Sequence, residues 1–302
     1  MEIQKQVQSF RETLALSTKG VLKDKTRMAI RYSKVYHEDF AAPAKLYGPE
    51  GKALAKQSPY LFTGPTRRPI MHWHGQVLVE PSSTLNAARR YRDEERVAVL
   101  SFAHPTIPAG GTTGSMATQE GYLCQCTNLY PCLTSQPISD LYYGYNKTLG
   151  HPFGSDRLIY SRDITVFKDS SLRVLDPSAW FDVDIITCSA PLLTKGQIDR
   201  KELKQRLKKR MANILEAAAA NGVQVLILGA FGCGASKNPP EVVASAFYEA
   251  IEEGLFVARF QKIVFAIKGA PENLLAFQAA FSTEPLPPPQ PAALHRLPKI
   301  SI

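Results

Sequence analysis

The amino-acid sequence predicts an α/β protein in which helices cover both faces of a largely parallel sheet. Three observations support this prediction. Short apolar runs rich in β-branched residues recur from residue 76 onward, and turn residues bound them, as is typical of strands buried on both faces. Helical patterns separate the last of these runs. The composition, 44% hydrophobic and 21% charged among 302 residues, is typical of a globular protein that buries a sizeable core.

Strand and helix candidates alternate in the C-terminal half. The helical patterns cover Arg200–Ala220, ended by the pair Asn221-Gly222, and Pro240–Gly254. This alternation predicts parallel strands, and such a sheet places its ligand site beyond the carboxyl ends of the strands. The strand candidates are "QVLVE" (76–80), "VAVLSFA" (97–103), "ITVF" (164–167), "VDIITCSA" (183–190), "VQVLILGA" (223–230) and "KIVFAI" (262–267).

Extensions are predicted on both sides of this core. Residues 1–34 show helical spacing of apolar residues among charged ones, and residues 36–69 are rich in Pro, Gly and Lys without periodicity. The predicted organisation is a helical and irregular N-terminal extension (1–70), a ligand-binding domain (71–283) and a proline-rich tail (284–302). The tail favours an extended, solvated chain, with docking to a proline-reading domain as the alternative.

Several classes of protein are disfavoured by the composition. No apolar run is long enough to cross a bilayer, and the N-terminus lacks the pattern of a signal peptide, so we expect an intracellular protein without a membrane partner. The cysteines are odd in number, which favours reduced thiols over a disulfide framework. The spacing of a metal site is absent from Cys124, Cys126 and Cys132. It is also absent from the pair His72 and His74. We therefore expect no metal and no cofactor.

A formal net charge of +9 favours an anionic partner. Part of this charge is concentrated in "KGQIDRKELKQRLKKR" (195–210). A run of this kind is usually the solvated face of a helix, and it lacks the interleaved aromatic residues of a nucleic-acid-binding surface. We therefore predict an exposed helix face that can still steer an anion.

Two glycine-rich loops follow strand candidates directly. We refer to "AGGTTGS" (109–115) as the first glycine loop and to "GAFGCGASKN" (229–238) as the GCG loop. Glycines allow the main chain to approach a ligand closely and to direct successive N–H groups at an anion. Neither loop has the GK[ST] ending of a Walker motif or the GxGxxG dinucleotide pattern. Each loop alone is equally well explained as a structural turn.

Together, these loops and their surroundings resemble a known family. The stretches "VLSFAHPTIPAGGTTGSMATQEGYLCQCTNLYPCL", "FDVDIITCSAPLL" and "ILEAAAANGVQVLILGAFGCGASKNPPEVVASAFYEAI" are similar to microbial-type poly(ADP-ribose) glycohydrolases, a branch of the macrodomain superfamily. The similarity extends over Glu80–Gly269. It implies a macrodomain-like α/β/α sandwich with a mixed, largely parallel sheet whose cleft holds ADP-ribose. The expected partner is ADP-ribose itself, or a protein or nucleic acid that carries it.

The resemblance also assigns roles to individual positions. In that family a GGG loop, followed several residues later by QEE, surrounds the scissile ribose, and a GCG loop holds the diphosphate. Cys233 is then interpreted as a small packing residue, since no neighbouring base indicates a reactive thiolate. Glu120 matches the first glutamate of QEE and is the candidate catalytic residue. The candidate ligand-binding residues are His104, Ala109, Gly110, Gly111, Thr112, Gln119, Gly121, Phe231, Gly232, Cys233, Gly234, Ala235 and Ser236.

This chain departs from the family pattern around the scissile ribose. Gly121 stands where the family has its catalytic second glutamate, and Ser236 stands where an aromatic residue packs on the ribose. Ser101 stands where the family usually has Asn or Asp. His104 stands where the family has a nearby Asn. Loss of a positioned acid typically slows a reaction by about 10²- to 10⁴-fold. We therefore expect weakened cleavage of poly(ADP-ribose).

Three routes remain open for the site. Glu120 could act as the acid or base in place of the missing glutamate. The ligand's own diphosphate could activate a water. The protein could also bind ADP-ribose without any reaction. We predict a macrodomain-type ADP-ribosyl hydrolase that removes mono(ADP-ribose) or a related adduct with weakened or altered catalysis, and the alternative is a non-catalytic ADP-ribose reader.

Overall fold

The computed structural model describes residues 2–38, 61–62, 75–94, 96–111, 118–254 and 256–281. The helices are α1 (Glu2–Thr18), α2 (Lys23–Tyr32), α3 (Thr84–Arg90), α4 (Gln119–Cys126), α5 (Leu129–Thr134), α6 (Tyr145–Thr148), α7 (Arg200–Ala220), α8 (Pro240–Glu253) and α9 (Pro271–Phe281). The strands are β1 (Lys34–Tyr36), β2 (Leu61–Phe62), β3 (Gln76–Glu80), β4 (Val97–Ala103), β5 (Leu158–Val166), β6 (Phe181–Ser189), β7 (Val225–Leu228) and β8 (Lys262–Ala266).

The strands form one mixed sheet of eight strands in the order β2-β1-β5-β6-β4-β7-β8-β3. Strands β6, β4, β7, β8 and β3 run parallel to one another, whereas β5 is antiparallel to both β1 and β6. The carboxyl ends of the five parallel strands therefore meet at one edge of the sheet. The predicted α/β class with a mixed, largely parallel sheet is confirmed.

Two buried apolar clusters lie on opposite faces of the sheet and make it the middle layer of a sandwich. One cluster packs helices α7, α8 and α9 on the sheet through residues such as Leu207, Phe247 and Phe277. The other packs α1, α2, α4 and α5 through residues such as Leu123 and Leu129. Strand residues alternate between the two clusters, which explains why the core strands read as continuous apolar runs.

The N-terminal residues 1–34 were predicted as one helical element. The structure instead has two helices, α1 and α2, followed by the short strand β1, which extends the sheet by antiparallel pairing with β5. A buried lysine holds α1 in place: the Lys168 ammonium donates to the carbonyl oxygen of Ser9 at 2.8 Å and pairs with Glu12. The predicted boundary at residue 70, most of residues 36–69 and the tail 284–302 lie outside the described residues.

The basic run 195–210 lies largely on α7, as predicted. Its charges are matched by acids of the neighbouring helix α8: Lys204 pairs with Glu249, Lys208 pairs with Glu249 and Glu253, and Arg200 with Glu241. This face of α7 therefore forms ion pairs with α8. Because the protein itself compensates this positive charge, the charge does not indicate a nucleic-acid partner. No helix within the described ranges combines the length and the apolarity that a bilayer crossing requires.

Candidate functional site

A cavity of about 470 Å³ opens at the carboxyl ends of β4, β7 and β8. Phe102 of β4, Ala230 after β7 and Ala266 of β8 form its floor. The amino end of α4 and the GCG loop form its sides. Its position agrees with the prediction from the parallel strands, and its size is within the usual range for a small-molecule site.

The GCG loop presents unpaired main-chain amides to this cavity. Within the loop, the amide of Cys233 donates to the carbonyl of Ala230 at 3.1 Å. Backbone amides that lack an acceptor in a concave turn form an anion-binding site. In the GCG loop, which the structure describes throughout, the amides of Gly232, Gly234, Ala235 and Ser236 donate to no backbone acceptor, and all four residues line the cavity.

Asn238 fixes the shape of the GCG loop. Its side-chain amide donates to the carbonyls of Pro191, at 2.9 Å, and Gly232, at 3.1 Å, and so ties the loop after β7 to the end of β6. Gly232 has φ of +75°, and a Cβ there would lie 2.3 Å from Cβ of Ala190. Pro239 is the N-cap of α8, and Asn238 directly precedes it.

The first glycine loop differs from the amide cradle that its sequence suggests. Ala109, Gly110 and Gly111 all have positive φ (+55°, +67° and +88°). The amide of Gly110 donates to the carbonyl of Ile107, and that of Gly111 donates to Pro108. These amides are therefore turned into the loop itself, and the GCG loop supplies the free donors. Thr112 lies outside the described residues.

Glu120 faces the protein interior. The side chain is 1% exposed, Oε2 accepts from the amide of His104 at 2.9 Å, and Oε1 accepts from the hydroxyl of Tyr143 at 3.2 Å. Burial raises the pKa of Glu120 to about 8, against the opposing effect of these bonds and of the nearby amides of Ala109 and Gly110. At neutral pH this carboxyl group is therefore largely protonated, and it braces the chain at both ends of the first glycine loop.

Gln119 lies on the cavity wall, but its amide group is fully used. Its Oε1 accepts from the amide of Phe102 at 2.8 Å, and its Nε2 donates to the carbonyl of Leu100 and the hydroxyl of Thr84. Gly121 is buried, and its amide donates to the hydroxyl of Thr118, the N-cap of α4. These contacts fix the start of α4 against the carboxyl end of β4.

The remaining candidate residues are Phe231, Cys233 and His104. Phe231 is fully buried and packs edge-on against Phe102 with ring centroids 5.9 Å apart. Burial raises the pKa of the Cys233 thiol to about 12, which agrees with a packing role and not with a nucleophile. Burial, and the nearby charge of Lys195, lower the pKa of His104, so this imidazole is neutral at pH 7. Its Nδ1 accepts from the amide of Thr106 at 3.2 Å.

Sequence reasoning missed one end of the cavity. Ser82, Ser83 and Thr84 line it at the start of α3, and Lys268 and Asn273 line it after β8. Both segments directly follow strand candidates, so the rule that placed the glycine loops could have found them. The described part of the chain contains no cluster of His, Cys, Asp and Glu able to hold a metal ion. His72 and His74 lie outside it.

Comparisons with known proteins agree with this geometry. Residues 4–169 match the family model "Microbial-type PARG, catalytic domain". A poly(ADP-ribose) glycohydrolase (PARG) of Deinococcus radiodurans in complex with ADP-ribose is 28% identical, with a TM-score of 0.69 over 84% of this chain and 96% of that one. A PARG of Thermomonospora curvata bound to the inhibitor ADP-HPD is 26% identical, with a TM-score of 0.75 over 92% and 100%. No curated protein matches the chain.

Proposed function

Because the chain belongs to the family of microbial-type PARG catalytic domains, we propose that its cleft binds ADP-ribose and that it removes single ADP-ribose groups, or a related adduct, from a modified target. We further propose that catalysis is weakened relative to the poly(ADP-ribose) glycohydrolases of the family. The observation that carries the proposal is the arc of unpaired amides in the GCG loop, which faces a cavity of nucleotide size.

The binding step uses main-chain donors. A diphosphate laid against Gly232, Gly234, Ala235 and Ser236 accepts several hydrogen bonds from amides that otherwise have no partner. The rest of the ligand then lies along the cavity beside Gln119 on α4 and Ser83 on α3, which are neighbours because Gln119 Nε2 donates to the hydroxyl of Thr84. This arrangement requires no metal and no thiol.

Catalysis is limited by what surrounds the scissile sugar. Gly121 carries no carboxylate, and the nearest acid in the sequence, Glu120, is buried with both oxygens accepting hydrogen bonds. With a pKa near 8, Glu120 holds a proton at neutral pH and could act as the general acid if the first glycine loop rearranged when ligand binds. The ligand's diphosphate, acting as base toward a water, is the other available route.

The same observations favour a second candidate, a reader that binds ADP-ribose and does not cleave it. The carboxyl group of Glu120 already has partners inside the protein, and its role in the loop is complete without substrate. The unpaired amides of the GCG loop can bind a diphosphate without any contribution from that carboxyl group. A reader therefore needs nothing that this chain lacks.

Two measurements separate these functions. Calorimetric titration with ADP-ribose tests binding, and no uptake at millimolar ligand would exclude both candidates. Release of ADP-ribose is then measured from poly(ADP-ribose) and from proteins or nucleic acid carrying single ADP-ribose groups. A hydrolase that uses Glu120 loses turnover in Glu120→Gln while still binding ADP-ribose, whereas a reader releases nothing from any substrate and binds equally well in both forms.

A further inference from the structure

We propose that the target from which ADP-ribose is removed, or on which it is read, is a nucleic acid whose phosphates bind to Lys195 and Lys237, here named the basic rim. This inference rests on the proposed binding of ADP-ribose in the cleft. It adds the class of molecule to which the ADP-ribose is attached. The contacts, charges and space around these two lysines support it.

Lys195 and Lys237 lie on loops that contact each other beside the cleft. The amide of Leu193 donates to the carbonyl of Ser236 at 3.0 Å, which joins the loop after β6 to the GCG loop. Lys195 follows on one loop and Lys237 on the other. Lys195 is also close enough to His104, at the end of β4, for its charge to lower the pKa of that imidazole. The basic rim therefore borders the cleft beside Ser236.

The charges of the basic rim are not neutralised by the protein. Both side chains belong to exposed residues, and neither pairs with a carboxylate in the part of the chain described. The acids on the surrounding elements have other partners. Glu241 pairs with Arg200, Asp156 with Arg210, and Asp199 accepts from the first amides of α7. This contrasts with Lys204 and Lys208 of α7, which carboxylates of α8 compensate.

Space for a bulky acceptor lies beside the basic rim. Ser236, which lines the cavity, is small where the family carries an aromatic residue. A Cβ built on Gly234 meets nothing within 4 Å. Gly234 and Ala235 are exposed, so the cleft opens to solvent next to Lys237. An acceptor larger than a single side chain can therefore approach the scissile end.

Phosphodiester groups suit this arrangement better than carboxylates of a peptide. A lysine ammonium is a flexible point charge that binds phosphate oxygens without demanding one geometry. A nucleic acid presents such charges at regular intervals, and the unpaired amides of the GCG loop already favour phosphate at the adjoining position. A phosphate on the acceptor would extend the negative charge of the bound ligand from the GCG loop to the basic rim.

The test compares four probes: free ADP-ribose, a short single-stranded DNA oligonucleotide with one ADP-ribose on its terminal phosphate, an uncharged peptide with one ADP-ribose on a serine, and short poly(ADP-ribose). Affinities are measured by competition over a range of salt concentrations, with gels to verify that each probe stays intact. The variant is Lys195→Ala with Lys237→Ala. The matched control is Lys19→Ala with Lys23→Ala, which removes equal charge from the turn between α1 and α2.

We expect the oligonucleotide to bind more tightly than free ADP-ribose and with a steeper salt dependence. In the rim variant its affinity should fall about tenfold, and the slope of log K against log salt should decrease by about 1.5, since each lysine neutralises one phosphate. Affinity for free ADP-ribose should fall clearly less than affinity for the oligonucleotide, and the control variant should behave like the wild type. Short poly(ADP-ribose), as a fourth probe, should depend less on the rim than the oligonucleotide does.

Other outcomes overturn the inference. Equal affinities and equal salt slopes for the oligonucleotide and free ADP-ribose would exclude a phosphate contact at the rim. Preference for the peptide would assign the target to protein, and equal rim dependence of poly(ADP-ribose) would remove the assignment to nucleic acid. If free ADP-ribose fails to bind at all, the proposed function fails first, and that result is distinct from a failure confined to the lysine variants.

Discussion

The hydroxyl of Tyr143 donates to Oε1 of Glu120 at 3.2 Å inside the protein, 23 residues away along the chain. Oε2 of the same carboxyl group accepts from the amide of His104. Glu120 thus links the start of α4, the turn that contains Tyr143 and the carboxyl end of β4. The residue that the sequence offers as the catalyst is therefore also the one that positions the first glycine loop.

This burial predicts an unusual pH dependence of stability. The pKa of Glu120 is about 8 in the folded protein, above the ordinary value of an unfolded glutamate, so the folded state holds a proton that the unfolded state has released. The free energy of unfolding should therefore be higher near pH 5 and fall as pH rises toward about 8, by at most about 1.4 kcal/mol per pH unit. Glu120→Gln removes this titration.

Denaturant unfolding of both proteins at intervals from pH 5 to pH 9 checks the prediction. The difference in unfolding free energy between wild type and Glu120→Gln isolates this one group from all others that titrate. Tyr143→Phe serves as a companion variant, because it removes one bond to the carboxyl group and keeps the burial. A difference that does not change with pH would contradict the raised pKa.

The two glycines of the GCG loop should respond differently to substitution. Gly234→Glu places a side chain in open space and a negative charge against the unpaired amides, so ADP-ribose binding should be lost by at least about 100-fold while the protein stays folded. Gly232→Ala should instead destabilise the protein, because its φ is +75° and its Cβ meets Ala190 and Asn238.

Calorimetry and thermal unfolding of both variants make this a paired experiment. Gly234→Glu should keep the melting temperature of the wild type within a few degrees, and Gly232→Ala should lower it clearly. Wild-type affinity in a folded Gly234→Glu protein would remove the GCG loop from the binding site. The comparison separates a contact with ligand from a constraint on the backbone.

The core strands and the long helix were readable from the sequence because burial fixes their pattern. The predicted bounds of 76–80, 97–103 and Arg200–Ala220 are those of β3, β4 and α7. Strand β5 was predicted as residues 164–167 only. It begins at Leu158, but the register shifts between Ser161 and Ile164, and a charged pair at that bulge interrupts the apolar run.

The functional site was only partly readable, for a geometric reason. Glycines mark the GCG loop directly, because they are needed where the backbone approaches a ligand. Ser83 and Asn273 also follow strand candidates, but only the pairing of β3 with β8 at the sheet edge brings their two segments together at one cavity. The inward orientation of Glu120 likewise depends on Tyr143, and the sequence offers no sign of that contact.

Arg210 should be important for the loop that precedes β5. Its guanidinium is 1% exposed and donates to Asp156 and to the carbonyls of Phe153, Gly154 and Ser189. Arg210→Met leaves Asp156 and three carbonyls without their donor, and should lower the free energy of unfolding by about 3 to 5 kcal/mol. Chemical denaturation measures this loss.

The neighbouring Lys209 provides the control. It also pairs with Asp156, at 3.5 Å, but its side chain is 50% exposed, so Lys209→Met should cost about 1 kcal/mol or less. Similar losses in the two variants would show that net charge beside Asp156 matters and that the buried hydrogen bonds of Arg210 do not.

Gly121 offers a test of the missing acid by gain of function. Gly121 lies in α4 without a positive φ, so its backbone conformation is one that any residue adopts, and its amide donates to the hydroxyl of Thr118. Gly121→Glu restores the carboxylate at the family's position, and cleavage of poly(ADP-ribose) should rise by about 10²-fold or more, the usual contribution of a positioned acid. Gly121→Gln has the same size without the acid and should not show this rise.

Release of ADP-ribose from the polymer, measured beside calorimetric binding, checks both variants. A folded Gly121→Glu protein that binds ADP-ribose and still leaves the polymer intact would mean that the departures at Ser236, Ser101 and His104, and not the lost glutamate alone, define what this cleft accepts.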